Sequence, residues 1–380
     1  MAIGFIFFAF SGGCFVVYLS ALLLLTIKNN AQYKEQQNWS FKSERPKISV
    51  LIALRNEEKN LELLLNGLIN QTYPADKFEV ILINDHSTDG SELVFNQFKN
   101  ERNLDHFKWL NLDNEIFGKK KAIAKGIEEA VGSYLLFTDA DCQMSESWIS
   151  DMLICQQNTQ AAMVCGPVLL SYNSLIEKVQ AIEFSSLIAV AASSIAIHKP
   201  TLCNAANFLV RAQDVKEAQV LRKDGNLASG DDVFLLHAMK PQGKTIAFCR
   251  IEGAEIETLP VKSFSDFKAQ RIRWAGKWRS GFSGSNQGLA IGVWLFHLLF
   301  LSGLYLSALN FGSNAFLLIV GLKAVFETFF LKPFNHHKAY QKNIGEIWLM
   351  QIAYSLYVLY FGIIIFLSNK YQWKGRNYRY

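Results

Sequence analysis

Several short groups of residues in this 380-residue chain have types and spacings that can do chemistry. Asp139-Ala140-Asp141 sets two hard oxygen ligands one residue apart. Such a pair suits Mg²⁺ or Mn²⁺, which keeps several waters and completes its shell with substrate phosphates. A calcium EF-hand loop starting at Asp139 is excluded, because its sixth position is Met144 rather than Gly and its twelfth is Ser150 rather than Glu. Asn84-Asp85 and Asp231-Asp232 add further acids. A lone acid after a strand is by default a turn former or a cap, and acids at several such places weaken that default. Lys119, Lys120 and Lys121 follow Gly118 at a helix start. Backbone N–H groups and the helix dipole favour an anion there, with a solvated basic face as the plainer alternative. Neither GxxxxGK[ST] nor GxGxxG occurs, so a nucleotide has to be held in some other way. Gln270-Arg271-Ile272-Arg273-Trp274 leads into Lys277, Trp278 and Arg279, an aromatic and basic run of the kind that lies at a membrane surface.

These groups must be placed by the elements around them. Residues 48–54 (ISVLIAL) are a short apolar, β-branched run, which predicts a strand buried on both faces. Asn56 is expected to cap a helix with Glu57 and Glu58 in its first turn and Leu61, Leu64, Leu65 and Leu68 on its buried face. Residues 78–83 (FEVILI), 107–112 and 134–138 (YLLFT) predict further strands, and residues 119–131 a helix. Strands alternating with helices give an α/β domain with a mainly parallel sheet and its ligand crevice at the strands' carboxyl ends. Asn84-Asp85 ends one predicted strand and Asp139-Ala140-Asp141 ends another. Residues 193–207 are expected to form an acceptor-side loop, with Cys203 a small buried residue.

The composition points to a membrane. Half of the residues are hydrophobic and only 19% are charged, which excludes a disordered chain. Lys plus Arg number 38 against 33 Asp plus Glu, and a net +5 is too small for a nucleic-acid binder. Six cysteines without a CxxC pair indicate neither a zinc site nor a disulfide framework. Residues 1–27 carry no charge, enough to span where about 20 apolar residues suffice, and lack the basic start and shorter core of a cleaved signal. The apolar block at residues 289–331 is too long for one helix and turns at 310–314, and residues 347–368 add a final apolar segment. One span before the middle region and three after it are expected. Lys323 and Glu327, four apart in that block, should pair or lie near an interface. Lys28, Lys34, Lys42, Arg45 and Lys47 follow the first span, which predicts a cytosolic middle region. The tail, with Lys370, Lys374, Arg376 and Arg379, then falls outside against the same rule, unless one late segment is interfacial rather than spanning.

Taken in order, residues 49–58 (SVLIALRNEE), 84–89 (NDHSTD), Gly118-Lys119, Asp139-Ala140-Asp141, Gly230-Asp231-Asp232 and QRIRW at 270–274 resemble a family 2 glycosyltransferase of GT-A fold. More narrowly, they are similar to the membrane-embedded branch with a QxxRW motif, which includes cellulose, hyaluronan and poly-N-acetylglucosamine synthases and ceramide glucosyltransferases. The resemblance covers about residues 46–280. It implies a donor site in which Glu57 and Asp85 contact uridine, Lys119 the diphosphate and Asp139 the ribose. Asp141 would ligate Mg²⁺ or Mn²⁺, and Asp232 would be the catalytic base. Asp231, Gln270, Arg271, Arg273 and Trp274 would attend the diphosphate and acceptor end. Ala53 stands where the family often has Pro, and Asp231 replaces the Glu of its ED pair, which leaves the role of the first acid open.

The resulting organisation is a transmembrane helix at 1–28, a cytosolic GT-A domain at 46–262, an interfacial QxxRW region at 263–287, transmembrane helices at 288–369 and a basic tail at 370–380. The implied enzyme is a multi-pass protein of the cytoplasmic membrane. It transfers a hexosyl or N-acetylhexosaminyl group from a nucleotide sugar, with UDP implied, to a lipid or lipid-linked glycan. A processive polysaccharide synthase and an inactive membrane scaffold are the competing expectations.

Overall fold

The structure, a computed structural model, describes residues 2–218, 231–280, 284–309, 315–334, 344–367, 370–373 and 376–379. The chain divides into two compact units, one of Ala31–Tyr172 and Val190–Pro260, the other of Met1–Asn30, Asn173–Ala189 and Val261–Tyr380. In chain order the first elements are α1 (Ala2–Gln36), β1 (Ile48–Leu54), α2 (Glu58–Ile69), β2 (Phe78–Asn84), α3 (Ser91–Arg102) and β3 (Phe107–Asn111). There follow α4 (Lys119–Glu129), β4 (Tyr134–Phe137), β5 (Gln143–Met144), α5 (Trp148–Thr159), β6 (Met163–Cys165), β7 (Val168–Leu170) and α6 (Leu175–Ala196). Next come β8 (Phe208–Arg211), α7 (Ala212–Ala218), α8 (Asp231–Met239), β9 (Ile246–Phe248), β10 (Ile256–Thr258) and α9 (Phe264–Ser280). The last are α10 (Gly284–Ala308), α11 (Ala315–Leu331), α12 (Ile344–Leu367) and a hairpin of β11 (Lys370–Trp373) and β12 (Arg376–Arg379).

The first unit is built on a seven-stranded sheet of order β3-β2-β1-β4-β8-β6-β9. The strands β3, β2, β1 and β4 are parallel, and β8 runs antiparallel to both of its neighbours. The sheet is therefore mixed, and parallel in the half that carries the acids. Ile48, Val50, Leu51, Ile52, Val80, Ile81, Leu82 and Ile83 are fully buried, as expected of strands covered on both faces. The helix α2 buries Leu61, Leu64, Leu65 and Leu68, the spacing of one helical face.

The amino ends of these strands are locked by a polar cluster. The buried Glu79 accepts from Ser49 Oγ at 2.6 Å and from the Val131 N–H at 2.9 Å, and pairs with Lys108 at 2.7 Å. Burial alone would raise the Glu79 pKa, but the bonds from Lys108, Ser49 and Val131 outweigh it and hold the carboxyl below its ordinary value. The amino edge of the sheet thus carries stability, and the carboxyl edge is left for chemistry.

The second unit contains α9 to α12 with parts of α1 and α6. Three helical segments among the described residues are long and apolar enough to cross a membrane: Phe10–Gln36, Leu175–Ala196 and Ala290–Ala308. In α6 72% of the apolar window is buried inside the protein, which accounts for its apolarity without lipid. The α1, α10 and α12 helices instead expose large apolar side chains, among them Val17, Leu24, Ile291, Leu295, Ile352 and Leu356. The Trp294 Nε1–H donates to the Leu359 carbonyl at 3.4 Å, and His297 Nδ1 lies 2.9 Å from Ser355 Oγ, so α10 and α12 run antiparallel. It follows that α12 ends at the level where α10 begins. Lys323 on α11 is fully buried, donates to Gln351 at 2.5 Å and pairs with Glu327 at 2.7 Å. The Gln351 amide returns to Glu327 at 2.7 Å, so the expected pairing of the two charges is met with α12 as its third member. The expected turn at 310–314 lies outside the described residues.

Two local readings are corrected. Asn56 does not cap α2: it takes a left-handed conformation (φ 55°), and its side chain accepts from the Thr88 N–H at 2.8 Å. The backbone there is satisfied from the next loop, since Glu57 N–H donates to Ser91 Oγ at 3.0 Å and Glu58 N–H to Asp89 Oδ2 at 3.1 Å. The expected loop at 193–207 begins four residues later, because residues 193–196 close α6, a 22-residue helix. Cys203 is buried, as expected.

Candidate active site

The acids stand where parallel strands end. Asp85 follows β2 directly, and its N–H donates to the Leu54 carbonyl at the end of β1 at 2.9 Å. Its carboxylate is buried and accepts the Gly118 N–H at 3.1 Å, with His86 Nδ1 at 3.3 Å from its other oxygen. Gly118 has φ 102°, a region glycine tolerates and other residues do not. That bond ties the end of β2 to the start of α4 and sets the direction in which α4 presents its first amides and Lys119.

Asp139 and Asp141 follow β4 in a turn closed by the Cys142 N–H to Asp139 carbonyl bond at 3.2 Å. The Lys119 ammonium forms an ion pair with Asp139. Asp141 is reached by solvent, yet its pKa is raised. Crowding by surrounding protein is the main cause, followed by the charges of Asp139 and Glu57, with Lys119 acting the other way. Solvent access together with lost hydration describes a carboxylate inside a cleft. The same influences bring Glu57, Lys119, Asp139 and Asp141 into one neighbourhood. Glu57 also accepts from Asn60 Nδ2 at 2.7 Å, which orients its carboxylate.

Lys119 also lines a cleft with Phe137, Thr138, Phe208 and Leu235. Leu235 belongs to α8, whose first two residues are Asp231 and Asp232, so the backbone of Asp232 lies about one helical turn from the wall of this cleft. The side chains of Asp231 and Asp232, like residue 230, lie outside the described residues. Among the described residues no group of three or more His, Cys, Asp or Glu forms a ready-made metal cage. The donors present fit the other arrangement, one or two carboxylates of which Asp141 is crowded by like charge, where a divalent ion would complete its shell with phosphate oxygens.

The QxxRW residues lie on α9 in the second unit. Arg271 is buried and paired with Glu183 of α6, and it donates to the Gln270 side-chain oxygen. Its guanidinium lies 4.3 Å from the Phe267 ring centre and 4.4 Å from that of Trp274. Gln270, Arg273 and Trp274 are half-buried. The side chains of Lys277, Trp278 and Arg279 lie outside the described residues. Sequence reasoning did not single out Glu183; the only available signal was an acid inside an otherwise apolar stretch.

Residues 49–216 match the family model described as Glycosyl transferase family 2. Glycosyltransferase AglE of Haloferax volcanii is 28% identical over 228 residues, covering 60% of this chain and 71% of that protein. The poly-beta-1,6-N-acetyl-D-glucosamine synthase of Staphylococcus epidermidis is 32% identical over 146 residues, 37% of this chain and 33% of that protein. A probable glycosyltransferase of Bacillus subtilis, YdaM, is 34% identical over 98 residues, 26% of this chain and 23% of that protein. The chain thus spans only about a quarter to a third of these last two relatives. The solved mannosyltransferase of Pyrobaculum calidifontis, in complex with GDP-Man and Mn²⁺, shares the fold at a TM-score of 0.59 and 14% identity, covering 96% of this chain and 98% of that one. Matched family model over residues 49–216, mixed GT-A-like sheet and apolar helices agree: the chain is similar to family 2 glycosyltransferases of GT-A fold and has helices long and apolar enough to span a membrane.

Proposed function

We propose that this enzyme moves a sugar, with inversion, from a nucleoside diphosphate sugar to a hydroxyl of a lipid or lipid-linked glycan. The observation that carries this reading is the gathering of Glu57, Lys119, Asp139 and Asp141 at the carboxyl edge of the parallel strands. In the proposed division of work, Glu57 and the buried Asp85 hold the nucleoside, and Asp139 lies by the ribose. Lys119 and the first amides of α4 meet the negative charge of the diphosphate. Asp141 would hold Mg²⁺ or Mn²⁺, which when bound neutralises diphosphate charge and orients its oxygens. Asp232 takes the proton from the acceptor hydroxyl as its oxygen bonds to the anomeric carbon. The bond from that carbon to the diphosphate oxygen breaks, and its electron pair leaves on the nucleoside diphosphate. One displacement without an enzyme nucleophile inverts the anomeric centre. Asp231, Gln270, Arg273 and Trp274 attend the diphosphate and acceptor end, near the membrane that delivers the acceptor. The catalytic unit faces the cytosol, where nucleotide sugars are made and where the basic residues after α1 favour it.

The test uses the whole chain in detergent, with Mn²⁺ or Mg²⁺, a panel of UDP- and GDP-sugars, and a membrane lipid extract as acceptor. The reading expects turnover of one donor and a lipid product longer by one sugar, lost in Asp232→Asn. A ladder of long products would favour a processive synthase. No turnover of any donor with any acceptor would leave the inactive scaffold.

A further inference from the structure

Arg271 occupies one of the two unspecified positions of the QxxRW motif, yet in this chain it is the most buried of the five residues and already has a counter-ion. Both carboxylate oxygens of Glu183 are engaged, one by Arg271 and the other by the Tyr357 hydroxyl at 3.0 Å. Only the oxygen of an amide accepts from a guanidinium. The donation from Arg271 to Gln270 Oε1 therefore fixes which way the Gln270 side chain is turned, with its NH₂ group directed away from Arg271. The same guanidinium lies against the Trp274 ring at 4.4 Å, and Phe184, next to Glu183, packs on that ring at 5.5 Å. A cation held against an aromatic face adds attraction in a dry site. One buried carboxylate thus governs, through one arginine, the setting of both Gln270 and Trp274.

We propose that Glu183 is a positioning residue for sugar transfer: it anchors Arg271, which fixes the orientation of the Gln270 amide and the Trp274 ring. Arg271 then serves within the protein rather than as a ligand of the donor. The proposal rests on the reading that Gln270 and Trp274 act in transfer. It assigns the work of Arg271 to Glu183, a residue 88 positions away in sequence.

The experiment measures kcat, acceptor KM and thermal midpoint of the full-length protein in detergent for Glu183→Gln, Glu183→Asp, Tyr357→Phe, the Gln270→Ala, Trp274→Ala variant, and Glu183→Gln and Tyr357→Phe in that background. Glu183→Gln should lower kcat on the order of 10- to 100-fold at saturating donor, and Glu183→Asp should recover most of that loss by restoring the charge. Tyr357→Phe keeps the Glu183–Arg271 pair and should cost about 2- to 5-fold, which covers the case in which Glu183→Gln does not fold. With Gln270 and Trp274 already removed, both substitutions should have less than about a 2-fold further effect, the signature of a shared route. Losses that multiply in that background, or a lowered thermal midpoint with unchanged kcat and KM, would overturn the proposal. A silent Gln270→Ala, Trp274→Ala variant beside an impaired Glu183→Gln would also overturn it, while leaving glycosyl transfer itself intact. Loss of donor turnover even without acceptor would instead count against the wider reading of the motif.

Discussion

Asp141→Asn separates the roles of the second acid in Asp139-Ala140-Asp141. The raised pKa of Asp141 comes first from lost hydration and then from the charges of Asp139 and Glu57. A carboxyl whose folded pKa lies above its unfolded value, about 3.9, binds its proton more readily in the folded state. Stability therefore falls as pH rises between those two values, and above both the ionised carboxylate is a net cost. The neutral isostere should accordingly leave the metal-free protein as stable at pH 7 as the parent or slightly more so, the gain being small because Asp141 is open to water. With ligand the order reverses. At a hundred times its dissociation constant a ligand stabilises by about 2.7 kcal/mol. For a unit of about 200 residues that corresponds to a rise of roughly 5–10 °C in thermal midpoint. Thermal scans in detergent with Mn²⁺ and a nucleoside diphosphate should show that rise in the parent and little of it in Asp141→Asn. The parent's rise should also shrink as pH falls through the raised pKa, since a proton then competes with the metal. An undiminished rise in the variant would refute the assignment of Asp141 as the metal ligand.

The lowered pKa of Glu79 gives the opposite sign: its contribution is present above the unfolded pKa and is lost as pH falls through the folded one, so Lys108→Ala should move the onset of acid unfolding, followed by circular dichroism, to higher pH. Lys323→Met leaves Glu327 buried without its cation and should destabilise the protein by about 3–5 kcal/mol, read as a lower midpoint in detergent; a change below about 1 kcal/mol would show that the pair is not buried in solution. Because α12 returns to the level where α10 starts, residues introduced as Lys42→Cys and Gln372→Cys in a Cys14→Ala background should be labelled by an impermeant maleimide from the same face of sealed vesicles. Labelling from opposite faces would contradict the antiparallel arrangement.

The site was legible wherever chemistry sits on a strand whose signal is local. β1 carries its own β-branched run, and β2 and β4 run directly into polar residues that no buried strand would keep for packing. The reversed β8 carried no such mark, because its direction is set by pairing with β4 and β6, distant in sequence. Asn56 misled for a related reason: a side chain suited to cap its own helix found a better partner in Thr88, on a loop that only the fold brings near. Glu183 was hidden because an isolated acid in an apolar stretch acquires meaning only when Arg271 and Tyr357 arrive from other helices. The conflict over the side of the basic tail likewise needed the run of α12 against α10. Only contacts between helices distant in sequence show that α12 runs antiparallel to α10 and ends at the level where α10 begins.

The central claim is that the acids and Lys119 at the carboxyl edge of the sheet grip a divalent ion and a diphosphate. The most direct measurement is the anomalous signal of Mn²⁺ in crystals grown with a nucleoside diphosphate. The account predicts one peak about 2–2.3 Å from the Asp141 carboxylate, bridging to phosphate oxygens, with the Lys119 ammonium turned toward the diphosphate. A nucleotide bound elsewhere, or an ion with no contact to Asp141, would contradict it.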